Sequence, residues 1–230
     1  MYTAEPLQGL AVEQYRSRVC KSAVEHCVNK VLTYDIFWLQ RWNGAVCSND
    51  AKSCYDRIIH AIALLAFQRA GTSQKAIVCL FSTIQRLRRH ARTIYRNSNI
   101  SFTGELWVVP IQGVGQGNGA GPACWALIST PILNMIRKEG AQVAFRVVPG
   151  QDKVSFVGYA FVDDFDQIAA APYYNMGDKE AAATQLQQSV DAWQEGLELS
   201  GGALVLEKSF WYPISFQWKD NACQSHDDRP

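Results

Sequence analysis

The apolar positions change period along the chain, and each change marks an element. After an irregular polar segment over 1–21, Ser22 and Glu25 form a capping box, and Val24, Val28, Val31 and Trp38 recur at helical spacing towards Gly44. Ala45-Val46-Cys47 then leads into Ser48-Asn49-Asp50, which predicts a strand ending at Asp50. Ser53 with Asp56 predicts the cap of a second helix facing inward through Ile58, Ile62 and Leu65 and stopping at Gly71. Thr72-Ser73 opens a third, through Ile77, Leu80, Phe81 and Ile84, whose pattern runs on into a cluster of arginines. Phe102 to Ile111 reads as a strand or hairpin. Glycine then occupies every second position from 113 to 121, and Pro122 suits the first turn of a helix that Pro131 should kink and Gly140 should end.

In Tyr159 to Ile168, two runs of β-formers flank Asp163-Asp164, the pattern of a hairpin with paired acids at its turn. Asp178 predicts the cap of a last helix that presents Ala182, Leu186, Val190, Trp193 and Leu197 on one face. Ser200-Gly201-Gly202 breaks it, and Leu204 to Tyr212 reads as a strand carrying Lys208. The polar stretch 219–230 reads as a frayed tail.

Composition narrows the class. A chain of 230 residues that is 48% hydrophobic can bury one core, so a single domain is expected. Lys and Arg number 22 against 21 Asp and Glu, so any basic surface must be local. The seven cysteines are scattered with no CxxC pair, which fits reduced intracellular thiols and no zinc cluster. The apolar run from Ile58 to Phe67 is too short to span a bilayer, so a soluble intracellular protein, in cytoplasm or nucleus, is expected.

The charged positions then suggest a chemistry. Two carboxylates held at a hairpin tip repel unless a cation offsets them, and a divalent metal is the natural one. Taken alone, each acid reads more readily as a turn residue. Arg18 and Lys21 fall beside a helix N-terminus, where partial positive charge favours an anion such as phosphate. Arg88, Arg92 and Arg96 are spaced i, i+4, i+8 and would form one cationic ridge if the third helix persists; otherwise they are a solvated face. The glycine stretch lacks the GK[ST] of a P-loop, and no strand-terminal acid follows it at the distance a dinucleotide fold needs. Carboxylates that hold two Mg²⁺ ions while cations handle a triphosphate describe a nucleotidyl transferase.

In order and spacing these segments resemble the reverse transcriptase family, over roughly Gln14 to Trp218. Asp50 followed five places later by Tyr55 resembles the first catalytic motif. Gly113 to Pro122, with Gln116-Gly117 at its centre, resembles the glycine loop. Phe161-Val162-Asp163-Asp164 resembles the acid hairpin, and Gly196-Leu197 with Glu207-Lys208 resembles the fourth motif. The resemblance implies an α+β polymerase palm, an antiparallel sheet backed by helices, with a partial fingers subdomain and no thumb. Residues 1–44 and 72–108 would be fingers-like, 45–71 and 109–218 palm-like, and 219–230 a tail. It implies Asp50, Asp163 and Asp164 as ligands of two Mg²⁺ ions, with Mn²⁺ as the substitute, and Lys208 as the general acid towards departing pyrophosphate. Tyr55 would gate against a ribose 2′-hydroxyl, Arg18 and Lys21 would meet the triphosphate, and Gln116 and Gly117 would line the nucleotide pocket. Arg88, Arg92 and Arg96 would contact nucleic acid. The implied partners are an RNA template, a DNA primer and deoxynucleoside triphosphates, with no membrane. The thumb would come from the rest of a longer retroelement protein, and the competing expectation is an inactive palm relic that binds nucleic acid.

Overall fold

Ser22 caps the first helix: its hydroxyl accepts from the Glu25 N–H at 3.1 Å, and α1 runs Ala23–Gln40 to Arg41 in the left-handed region. The computed structural model describes residues 10–16, 18, 20–104, 110–146, 153–171, 179–219 and 222–225. The helical period of α1 is as expected, but its phase is not. Val24, Val28 and Val31 are exposed and Trp38 is not buried; Thr33 and Phe37 point inward instead. Polar partners set this phase. Lys30 Nζ lies 2.7 Å from Asp166 Oδ2, Asn29 Nδ2 donates to the Tyr15 hydroxyl at 2.8 Å, and the Thr33 and Tyr159 hydroxyls bond to each other. Positions 26, 29, 30, 33 and 37 form one stripe, and a hydrophobic count cannot see a stripe that is mostly polar.

The strand β1, Gly44–Asp50, follows, and then a run of turns over 52–57 in place of the expected Ser53 cap. The Tyr55 and Ile58 carbonyls accept from Val114 N–H and Gly113 N–H at 2.9 and 2.8 Å, so acceptors that a helix would need are taken by the glycine loop. The helix α2 therefore starts late, His60–Arg69, and buries His60 and Ala63 while Leu65 stays exposed. Ser73 caps α3, Gln74–Arg86, which buries Ile77, Phe81 and Ile84 as its pattern predicts.

The arginine ridge does not form. The Gln85 carbonyl accepts from Gly104 N–H at 2.9 Å and from the Thr103 hydroxyl at 2.8 Å, Leu87 turns extended, and the chain enters a hairpin of β2, Arg89–Arg92, and β3, Asn97–Phe102. Arg88 precedes this hairpin, Arg92 ends its first strand and Arg96 lies in its turn. The next helix, α4, spans Gly121–Lys138 and passes through Pro131 as one helix, with the Thr130 hydroxyl bonding back to the Ala126 carbonyl at 2.7 Å beside the proline.

A short hairpin of β4, Val143–Arg146, and β5, Lys153–Phe156, leads to β6, Gly158–Phe161, and β7, Asp164–Ala170. The expected Asp178 cap lies outside the described residues. The helix α5, Lys179–Leu199, buries Ala182, Leu186, Trp193 and Leu197 as expected. The predicted 204–212 strand begins instead with a single 3₁₀ turn at Leu206–Lys208, and β8 spans Phe210–Ile214. Part of the expected tail pairs as a hairpin, β9, Phe216–Lys219, with β10, Ala222–Ser225.

The main sheet has the order β6–β7–β1–β8, all antiparallel. Residues 13–15 extend its edge: Ala160 N–H donates to the Glu13 carbonyl and Tyr15 N–H to the Ala160 carbonyl, each at 2.9 Å. Phe37 of α1 covers one face over Val46, Ile168 and Ala170. On the other, α5 lays Leu186 over Ala45, Cys47 and Ala169 and packs Trp193 against Phe165, the rings tilted at 54° with centroids 4.7 Å apart. Each such fully buried side chain contributes about 2 kcal/mol. The result is an α+β fold, an antiparallel sheet backed by helices, as expected.

Candidate active site at the acidic end of the sheet

Register places the acids. In the β1–β7 ladder Asp50 pairs with Asp164, and directly opposed residues share a face, so both carboxylates leave the same side of the same sheet end. Past the last pair, Ala51 N–H donates to the Asp163 carbonyl at 3.0 Å, which ties the acid turn to the strand carrying Asp50. The turn is sharp because Val162 adopts φ +62°. A β-branched residue there is strained, and two bonds hold it: the buried Gln14 side chain accepts from Val162 N–H at 3.1 Å, and Trp125 Nε1 donates to the Val162 carbonyl. On the other flank, Val205 N–H donates to the Asp50 carbonyl at 2.9 Å, and the 3₁₀ turn swings Lys208 inward until its Nζ is 2.7 Å from Asp50 Oδ2.

The charges around this end are unbalanced. Partial burial, then the neighbouring Asp163, Asp50 and Asp166 carboxylates, push the Asp164 carboxyl above its usual range, with His26 opposing. The hydrogen bond to Asp50, followed by the same carboxylate's charge, raises Lys208, whose ammonium is well exposed. Burial and nearby carboxylates, Asp163 first among them, push the Cys54 thiol up to about 12, which leaves it protonated and unreactive.

The expected nucleotide-facing residues divide. Tyr55 rests its ring against the end of the glycine stretch: a Cβ added at Gly121 would sit 3.4 Å from its ring carbons. Its hydroxyl is pushed up to about 12, by burial first and then by Cys54 and Asp163. The glycine loop is closed at one end and open at the other. Gly113, at φ +81°, approaches Asp56 so closely that a Cβ would meet the Asp56 carbonyl oxygen at 2.5 Å. Gly115 and Gly117 also have positive φ but face open space, and Gln116 between them is exposed.

Arg18 and Lys21 are turned towards local partners. Arg18 donates to the Val12 carbonyl at 2.8 Å, and Lys21 is ion-paired with Glu25 and lies 5.5 Å over the Tyr15 ring. Arg16, in the same segment, instead reaches towards the acid hairpin: its guanidinium stands 5.9 Å over the Phe161 ring and its charge reaches Tyr55. Sequence reasoning had no means to prefer Arg16 within a run of three cations, nor to find Gln14 and Trp125 as braces of the acid turn.

Among the described residues no three His, Cys, Asp or Glu side chains converge on one metal position. Asp50 at the end of β1, Asp163 in the turn and Asp164 at the start of β7 carry hard oxygen donors of the kind Mg²⁺ takes, and their mutual repulsion invites a cation. Lys208 supplies part of that compensation to Asp50.

No protein-family model matches the sequence, and comparison with curated proteins gives no match. Among solved structures, the chain is similar to telomerase of Candida tropicalis in complex with a fragment of telomeric RNA, at TM-score 0.53 and 13% identity over 87% of this chain and 30% of that one. It is similar to the apo form of that telomerase at TM-score 0.52 and 13% identity, over 87% and 33%. The chain thus spans about a third of its neighbours' length, and the likeness is one of fold. Among the described residues no helix is long and apolar enough to cross a membrane.

Proposed function

We propose that this chain is the fingers-and-palm part of an RNA-directed DNA polymerase, a reverse transcriptase of retroelement type. The observation that carries the reading is the register that sets Asp50 against Asp164 with the Asp163 turn bonded to the next residue and Lys208 alongside. The fold likeness to telomerase, a reverse-transcriptase-related enzyme captured with RNA, supports nucleic acid as the partner class. Asp50 and Asp163 would hold two Mg²⁺ ions, with Asp164 adjusting the charge around them. Bound there, the ions would stabilise the attacking and leaving oxygens of an in-line displacement.

The remaining work belongs to side chains. Tyr55, fixed against Gly121, would fill the volume of a ribose 2′-hydroxyl and so favour deoxynucleotides. Gln116 and Gly117 would meet the incoming base from the open side of the glycine loop. Lys208, kept protonated by its acidic neighbours, would deliver a proton to pyrophosphate once it leaves Asp50. Arg16 joins Arg18 and Lys21 as a candidate for the triphosphate, and an RNA template and DNA primer would lie across the exposed acidic end. Primer extension by the purified chain on an RNA template, with and without Mg²⁺, tests this; incorporation that survives Asp163→Asn sinks it.

A second reading has its own support. Lys208 closes on Asp50 while Arg18 and Lys21 are spent on local partners, which suits a palm that has lost catalysis and retains nucleic-acid binding. Salt-dependent binding with no incorporation under any divalent metal would select it.

A further inference from the structure

From residue 57 to residue 104 the sequence carries eight Lys or Arg residues and no Asp or Glu, although the whole chain has a net charge of only +1. Five of those cations fall between Arg86 and Arg96, on or beside the β2–β3 hairpin. The near-neutral total thus conceals a segregated basic surface.

The stem of this hairpin is fixed and its tip is presented. Arg89 donates to the Ile84 carbonyl at 2.8 Å at the end of α3, and Thr103 and Gly104 bond the Gln85 carbonyl, so both strands start from a rigid base. At the tip, Thr93 N–H donates to the Arg96 carbonyl at 3.0 Å, and the Thr93 hydroxyl accepts from Tyr95 and Arg96 N–H at 3.3 Å each. This closed turn holds Ile94 and Tyr95 out at 91% and 88% exposure, between the exposed Arg92 and Arg96. Ile100 on the returning strand is 81% exposed. Among the described residues none covers these large apolar side chains, which stand in water among arginines.

We infer that the β2–β3 hairpin is a binding clamp for single-stranded nucleic acid, in which Tyr95 stacks on a base and Arg88, Arg92 and Arg96 neutralise the flanking phosphates. An aromatic ring between cations fits a strand whose bases are unpaired, since a duplex hides its base faces. The absence of acids over the whole segment excludes a cationic partner, and the arginine fork suits phosphate. The inference rests on the nucleic-acid part of the function proposed above and gives it a second contact, independent of the carboxylates.

Binding of the whole chain to labelled oligo(U) and oligo(dT), read by fluorescence anisotropy in EDTA, tests the clamp apart from catalysis. Tyr95→Ala is expected to weaken binding at least about fivefold, since base–aromatic stacking contributes about 1–3 kcal/mol. Replacing Arg88, Arg92 and Arg96 by Gln together is expected to flatten the salt dependence by about two units of slope, at roughly 0.7 per phosphate contact on a single strand. Both variants lie at exposed positions, and unchanged circular dichroism would show that they fold. Equal affinity for duplex DNA, an unaltered salt slope in the triple variant, or Tyr95→Ala binding like wild type would each overturn the proposal. Retained binding by Asp163→Asn with extension abolished would support it, because the clamp does not use the acids.

Discussion

Two hairpins of this molecule are built from similar lengths of chain and set in opposite surroundings. The β6–β7 hairpin is locked between the residue 13–15 segment and β1, covered on both faces by helices, and carries Asp163 and Asp164 at a strained turn. Among the described residues the β2–β3 hairpin pairs only with itself; it is largely exposed and carries arginines and Tyr95 around its turn. On the function proposed above, the first arrangement would serve positioning: a carboxylate sharing a metal would have to stay within fractions of an ångström, which a buried ladder enforces. Binding a flexible strand suits the second, where long side chains on a small stable base adapt to their ligand.

This contrast can be broken from the acidic side first. Asp163→Asn should lower Mg²⁺-dependent extension on the order of 10³-fold, a loss of several kcal/mol of transition-state stabilisation, with binding in EDTA unaltered. Phe165→Ala, which empties the space against Trp193 directly behind the acid turn, should cost about 3–5 kcal/mol in chemical denaturation. The equivalent truncation in the other hairpin, Tyr95→Ala, should stay within about 0.5 kcal/mol, and a larger change would show that the exposed tip is structural after all.

Between these extremes stands the glycine loop. Gly113→Ala combines positive φ with an overlap against the Asp56 backbone and should destabilise by about 2 kcal/mol or more, whereas Gly117→Ala, facing open space, should show only the strain of its φ.

The smallest expected effect is a pH dependence at the join of loop and helix. His60 is buried, its Nε2 bonded to the Gly113 carbonyl at 2.6 Å and its Nδ1 to Gln85 Nε2 at 2.6 Å, and burial, with Arg89 adding, holds its pKa below the ordinary 6.5. The unfolded chain therefore binds a proton that the folded one refuses. Stability from this site is complete above pH 6.5 and declines as pH falls through the ordinary value towards the lowered one. Melting temperatures from pH 8 to 5 should show this decline, and His60→Phe should flatten it.

Much of the architecture was legible where pattern and burial coincide. The caps at Ser22 and Ser73, the inward faces of α3 and α5, the strand ending at Asp50 and the Asp163-Asp164 hairpin all follow from local spacing. Three of the misreadings share one cause, a distant partner taking a backbone or side-chain group that the local pattern needed. Val114 and Gly113 took the carbonyls that α2 would have used, Thr103 and Gly104 took the one that would have carried α3 into the arginines, and Asp166 and Tyr159 turned α1 about its axis.

The sequence by itself determined which residues could be acids at strand ends, which glycines could bend, and which helices could cap, because these depend on neighbours a few positions away. Only the tertiary structure decided that Asp50 meets Asp164, that Lys208 reaches Asp50 from a 3₁₀ turn, and that the arginines leave the helix for a hairpin. Register between strands more than a hundred residues apart is set by packing on both faces of the sheet, and no local period contains that information.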